Sequence, residues 1–177
     1  SNYACARTSA LIVYSHFMQK TVWDNLCEFA SPLVLPLGFD TAKYFANKPN
    51  DKIVISYFGR LAQGQKGFVE YLHAVDLIDQ NILDKYTVEF NVYGKGEMPD
   101  WLPVRRISNV AFLEGSELTN AFAQSHIVVM PSKYEPFGLV GLEALASGCV
   151  LLATEGLGMD EYLVSGKNYV PINNLLM

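Results

Sequence analysis

The chain has 177 residues, enough for one sizeable domain with its own core. Half of them are hydrophobic and 18% are charged, which excludes a disordered segment. The formal net charge of -5 argues against a nucleic-acid groove, which carries a basic stripe, although a few cations can still converge on a phosphate.

Ala10–Tyr14 reads as a short apolar strand. Ser15 is placed to cap a helix through about Ala30, with Phe17, Val22, Leu26 and Phe29 on its apolar side. Leu33–Leu35 reads as a second short strand. Pro36, Gly38 and Asp40, then Lys48-Pro49-Asn50-Asp51, mark polar breaks and a boundary. From Lys52 the rhythm is regular. Strands are expected at Ile53–Phe58, Val88–Tyr93, Val110–Leu113, Ile127–Met130, Val150–Ala153 and Tyr169–Ile172. Helices are expected from about Gly67 to Leu83, from a Ser116 cap to about Gln124, over Leu139–Ser147 and near Asp160–Val164. This alternation predicts an α/β fold: a Rossmann-like, doubly wound parallel sheet covered on both faces. Ligands of such sheets bind outside the carboxyl ends of the strands. The loops after Phe58, Tyr93, Leu113, Met130 and Ala153 should then share one rim.

Cys5, Cys27 and Cys149 are odd in number and far apart, with no Cys-x-x-Cys pair. Reduced thiols and a cytoplasmic protein are expected. No apolar run approaches the ~18 residues of a membrane span, and no signal peptide opens the chain. The first residue is Ser, as expected of a piece of something longer.

Glu135-Pro136-Phe137-Gly138-Leu139-Val140-Gly141-Leu142-Glu143 is the most telling stretch. Two carboxylates bracket a turn that runs into a helix. Carboxylates accept hydrogen bonds from sugar hydroxyls, and a helix start offers free amides to an anion. Glu143 sits about two turns into an apolar helix, on the side expected to pack on the sheet, so its charge needs a partner or a ligand.

Gly59-Arg60-Leu61-Ala62-Gln63-Gly64-Gln65-Lys66-Gly67 fails as a Walker A loop. Its lysine comes one place late, and Gly67 stands where Ser or Thr would hold magnesium. Arg60 and Lys66 still put two cations on one loop, each worth about 4 kcal/mol of Coulomb energy to a phosphate before desolvation. Gly94-Lys95-Gly96 lacks the third glycine of a dinucleotide fingerprint, which would fall at Pro99, so it reads as a turn. There is no Asp-x-Asp, and His16, His73 and His126 have no metal-ligand neighbours in sequence. No metal or other cofactor is expected.

Ser132 to Leu139 followed by Leu142-Glu143-Ala144-Leu145-Ala146-Ser147-Gly148 resembles the glutamate-x7-glutamate motif of retaining glycosyltransferases with the two-domain GT-B fold, in the group of bacterial sugar transferases, sucrose synthase and glycogen synthase relatives (family 4). Pro36-Leu37-Gly38-Phe39-Asp40, Gly59-Arg60-Leu61 with Lys66-Gly67, Tyr93-Gly94-Lys95-Gly96, Val110–Gly115, and Ala153-Thr154 with Gly158 and Glu161 are similar to further motifs of that family, in the same order.

The resemblance, covering about residues 10–172, implies a C-terminal donor-binding domain over residues 36–177. Residues 1–35 would be a remnant of the N-terminal acceptor domain and linker. The rest of that acceptor domain, the terminal helices and the histidine often placed beside the donor sugar would lie outside the chain. It implies a metal-independent hexosyl transfer from a UDP, GDP or ADP sugar to a glycan, lipid or small-molecule acceptor, as in polysaccharide biosynthesis. Catalytic roles would fall to Arg60, Lys66 and Glu135. Gly59, Phe112, Leu113, Phe137, Gly138, Leu139 and Glu143 would bind the donor, Glu143 through the ribose hydroxyls. Glu114 before Gly115 and Leu157 in place of a glycine depart from the pattern and would tune the site. The parent enzyme could sit at the inner face of a membrane; this part of it should be inactive alone. The competing reading is a non-catalytic nucleotide- or partner-binding module that kept the fold.

Overall fold

The computed structural model describes residues 10–26, 32–62, 64–99 and 106–172. Two short strands, β1 (Ile12–Val13) and β2 (Leu33–Val34), form a parallel pair apart from the main sheet. Helix α1 (His16–Leu26) connects toward β2 and begins at Ser15, whose Oγ accepts from the Met18 amide at 3.0 Å. The expected continuation to Ala30, the side chains of Leu26 and Phe29, and Cys5 and Cys27 lie outside the described residues.

The main sheet holds β3 (Ile53–Phe58), β4 (Val88–Tyr93), β5 (Ile107–Ala111), β6 (Ile127–Met130), β7 (Val150–Thr154) and β8 (Val170–Ile172). All of its pairings are parallel, in the order β5-β4-β3-β6-β7-β8. The expected doubly wound sheet is therefore present. The chain turns in opposite directions from β3 and β6, so the switch point lies between them, and the crevice outside their carboxyl ends is where such a sheet receives ligands.

Helices α2 (Phe68–Leu77), α3 (Gln80–Lys85), α4 (Gly115–Gln124) and α5 (Leu139–Ala146) connect the strands. Adjacent residues of β3 feed opposite faces. Tyr57 joins Phe68, Tyr71, Leu72, Val75, Phe90 and Val92, while Phe58 joins Phe122, Val128, Met130, Ala144 and Leu151. Two cores thus sandwich the sheet, as period-2 alternation requires.

Four expectations are corrected. The helix expected from Gly67 to Leu83 is two helices. Ile78 is extended (φ -61°, ψ 130°), Arg106 donates to the Val75 and Ile78 carbonyls at 2.9 and 2.8 Å, and the Asp79 carboxylate caps α3 by accepting from the Asn81 amide at 2.9 Å. Helix α4 starts at Gly115 after an extended Glu114 with no side-chain cap, so Ser116 is not the cap. Strand β5 runs Ile107–Ala111, not Val110–Leu113; as an edge strand it carries exposed polar residues that hide its start. The helix expected near Asp160 is a 3-10 turn over Gly158–Glu161.

Candidate functional site

A cavity of about 350 Å³ opens at the carboxyl ends of β3, β4 and β5. Phe58, Gly59 and Arg60 line it from β3, Tyr93, Gly94 and Lys95 from β4, and Phe112 and Leu113 from beyond β5. Leu118 and Phe122 of α4 and Val140 and Glu143 of α5 close it. Its walls are mainly aromatic and aliphatic, with one carboxylate and two cations among them. Phe58 and Phe122 stack at 3.8 Å and 11°, and Tyr93 packs on Phe58 at 5.0 Å.

Glycine lets the rim loops close up. A Cβ on Gly94 would sit 1.7 Å from the Gly59 carbonyl oxygen, so the turn after β4 lies against the loop after β3. The Leu61 amide donates to the Lys95 carbonyl at 3.0 Å and fixes that approach. Gly67 (φ 70°) plays the same part on the other side, where a Cβ would lie 1.9 Å from the Pro131 oxygen. The Gln65 carbonyl there accepts from the Lys133 and Tyr134 amides, joining the loops after β3 and β6 across the switch point.

Glu143 is the fifth residue of α5, just over one turn in rather than two. It has the partner its position demands: the Tyr44 phenol donates to its Oε1 at 2.8 Å. Burial pushes the Glu143 carboxyl above its ordinary range, and the Tyr44 hydrogen bond pulls it part of the way back. Burial, then the neighbouring carboxylate, push the Tyr44 phenol well up, so it stays a donor.

Lys66 and Glu135 are not on the cavity wall. They meet each other, Nζ to Oε2 at 2.7 Å, with side chains 24% and 11% exposed. The loop after β3 thus divides its cations: Arg60 goes to the cavity and Lys66 to Glu135. Around Glu135 the turn is clamped from three sides. The Gly158 amide donates to the Glu135 carbonyl at 2.8 Å, the Ser15 hydroxyl to the Pro136 carbonyl at 2.6 Å, and the Tyr162 hydroxyl to the Gly138 carbonyl at 2.5 Å. Gly138 is left-handed (φ 85°, ψ 60°) and begins α5. The first amides of a helix have no intrahelical acceptor, and among the described residues those of Phe137, Gly138 and Leu139 find none elsewhere. Phe137 is buried and Leu139 exposed.

Of the residues named from sequence, Gly59, Arg60, Phe112, Leu113 and Glu143 converge on the cavity; Lys66, Glu135, Phe137, Gly138 and Leu139 gather at the clamped turn. Phe58, Tyr93, Gly94, Lys95, Leu118, Phe122 and Val140 also line the cavity but were not among the site residues named from the sequence, nor was Tyr44, which reaches Glu143. The Gly-Lys-Gly turn was the available signal for Lys95; nothing local marks Tyr44. Among the described residues no group of three His, Cys, Asp or Glu could hold a metal ion, and no helix is long and apolar enough to cross a membrane.

Over 122 residues the chain is 31% identical to an uncharacterized glycosyltransferase of Methanocaldococcus jannaschii, covering 64% of this chain and 30% of that protein. Over 163 residues it is 29% identical to a glycogen synthase of Mycobacterium tuberculosis, covering 83% of this chain and 38% of that one. It therefore spans well under half the length of these relatives. HepE of Anabaena, solved in complex with UDP and glucose, superimposes with a TM-score of 0.75 at 20% identity, over 97% of this chain and 51% of that one. The solved structures that share this sheet are GT-B glycosyltransferases. The family model for glycosyl transferases group 1 matches residues 52–175, the span that builds the sheet and both halves of the site, and the chain belongs to that family.

Proposed function

We propose that this chain is the donor-binding part of a retaining, metal-independent family 4 glycosyltransferase, taking a nucleoside-diphosphate sugar. The observation that carries the reading is the cavity at the strand ends, where an aromatic wall meets Arg60, Lys95 and Glu143 beside the clamped Glu135 turn. Aromatic faces suit a base, a carboxylate suits ribose hydroxyls, and cations suit a diphosphate. The complex of HepE with UDP and glucose supports this choice of ligand class.

In this reading Phe112 and Leu113 border the base and Glu143 takes the ribose diol. Arg60, with Lys66 from the same loop after β3, stabilises the diphosphate as it leaves, a role that preorganised cations can fill. The amides of Phe137, Gly138 and Leu139 face the phosphate or sugar, and Glu135, held by Lys66, hydrogen-bonds the sugar. Gly59 borders the diphosphate through its backbone, with the Tyr57 hydroxyl packed on its other side. The acceptor domain belongs to the rest of the parent protein, so the chain by itself transfers no sugar.

Titration calorimetry of the full-length protein with UDP, GDP and ADP sugars tests the reading. Binding of one of them, lost in Arg60→Ala plus Lys66→Ala, is expected, and removing one such donor should lower the transfer rate about 10²–10³-fold. Because Lys66→Ala also strands Glu135, Arg60→Ala alone and a melting curve are run beside the double variant. No binding to any donor, or binding indifferent to both changes, would sink the proposal. Nuclear magnetic resonance of the product anomer decides whether configuration is retained.

A further inference from the structure

Tyr44 stands on none of the strands or helices that build the cavity. It ends the 3-10 turn Thr41–Lys43, which Asp40 caps by accepting from the Ala42 amide at 3.1 Å. Its ring stacks on Phe39 at 5.0 Å and meets Phe122 edge-on at 6.3 Å. From there its phenol reaches Glu143, 99 positions away, at Oε1 only. The Oε2 of Glu143 has no protein partner among the described residues, and Glu143 lines the cavity.

We propose that Tyr44 is a positioning residue for ligand binding: its phenol holds one oxygen of Glu143 and so fixes the other for a vicinal diol. The inference rests on the reading of Glu143 as the ribose-binding group. A carboxylate with one oxygen anchored loses its rotamer freedom before the ligand arrives, which is where preorganisation gains affinity. The phenol's single proton is spent on Oε1, so the phenol does not compete with the diol as a donor to the other oxygen. It also opposes in part the effect of burial, which favours the protonated carboxyl. The titratable groups facing Glu143 are Arg60 and Lys95 across the cavity, Tyr93 on its wall, Tyr44, and Tyr162, whose phenol is pushed up by burial, then by the Glu135 charge and then by that of Glu143. Helix α4 brings no titratable group to the cavity. With the phenol removed, burial acts on Glu143 unopposed from that side, and its proton is held to higher pH.

Calorimetry on the full-length protein with UDP, GDP and ADP selects the tightest diphosphate; its 2′,3′-dideoxy counterpart, lacking the diol, is the control. Wild type, Tyr44→Phe and Glu143→Gln are compared at pH 6 and pH 8. Tyr44→Phe keeps the ring on Phe39 and is expected to bind the diphosphate about fivefold to tenfold more weakly, with the larger loss at pH 6, while binding the dideoxy form like wild type. That comparison is internal to each variant, so loss of folded protein cannot imitate it. Tyr44→Phe binding like wild type while Glu143→Gln is weakened would overturn the role of Tyr44 and leave Glu143's intact. Tighter binding by Tyr44→Phe, or an equal loss for both ligands at both pH values, would overturn it as well. Glu143→Gln binding like wild type would overturn the ribose assignment itself.

Discussion

Glu143 combines two demands that oppose each other. Its place in α5 takes it partly out of water, and burial raises its carboxyl above the ordinary range. The folded chain therefore binds that proton more tightly than the unfolded one. The associated stability is full below the unfolded carboxyl range and is lost as pH rises through the folded value. At neutral pH the charge is a burden on the fold. Glu143→Gln, which can still accept from Tyr44, should raise the melting temperature by roughly 2–4 °C at pH 8, with the gain closing toward pH 4. Calorimetric melts across that range check it; a variant less stable at pH 8 would show that the carboxylate holds the fold by contacts other than those described. Lys66 and Glu135 are the opposite case, since each offsets the other's desolvation at 2.7 Å. The sequence marked both glutamates but could not show this difference, because Tyr44 and Lys66 reach them from far along the chain.

At the scale of elements, the site is made by loops that touch, and glycine decides where. Gly67→Ala would drive a methyl group to within 1.9 Å of the Pro131 oxygen at a left-handed φ. The acceptor there is backbone, so relief requires shifting the loop after β6. A loss of about 3 kcal/mol is expected in urea unfolding, from overpacking plus the conformational penalty. Loss below about 1 kcal/mol would mean that the two loops separate easily. The central strands were legible because buried parallel strands read as apolar runs: Ile53–Phe58, Val88–Tyr93 and Ile127–Met130 stand as expected. The break between α2 and α3 was not, because Val75, Ile78 and Ile82 keep a helical spacing through it. What ends α2 is Arg106, which reaches back from just before β5. Edge strand β5 was misplaced for a related reason: with exposed residues it lacks the apolar signature that the inner strands carry.

Across the whole molecule the two cores meet the site on one side only. Phe122 is fully buried, stacks on Phe58, and also forms part of the cavity wall. Core and candidate site therefore share a residue there. Arg60 is exposed at the rim and makes no hydrogen bond or ion pair among the described residues through its side chain. A truncation at each position should separate the two functions. Phe122→Ala removes a ring from the centre of the core and is expected to lose about 3–5 kcal/mol of stability, taking binding with it. Arg60→Ala should stay within about 0.5 kcal/mol of wild type in unfolding and still lose diphosphate affinity. Ligand-induced stabilisation gives the sharpest reading. Diphosphate at a hundred times its Kd should add about 2.7 kcal/mol to wild type, and the same concentration should add far less to Arg60→Ala. Equal stabilisation of both would place the diphosphate away from Arg60, and with it the cavity's polar end away from the loop after β3.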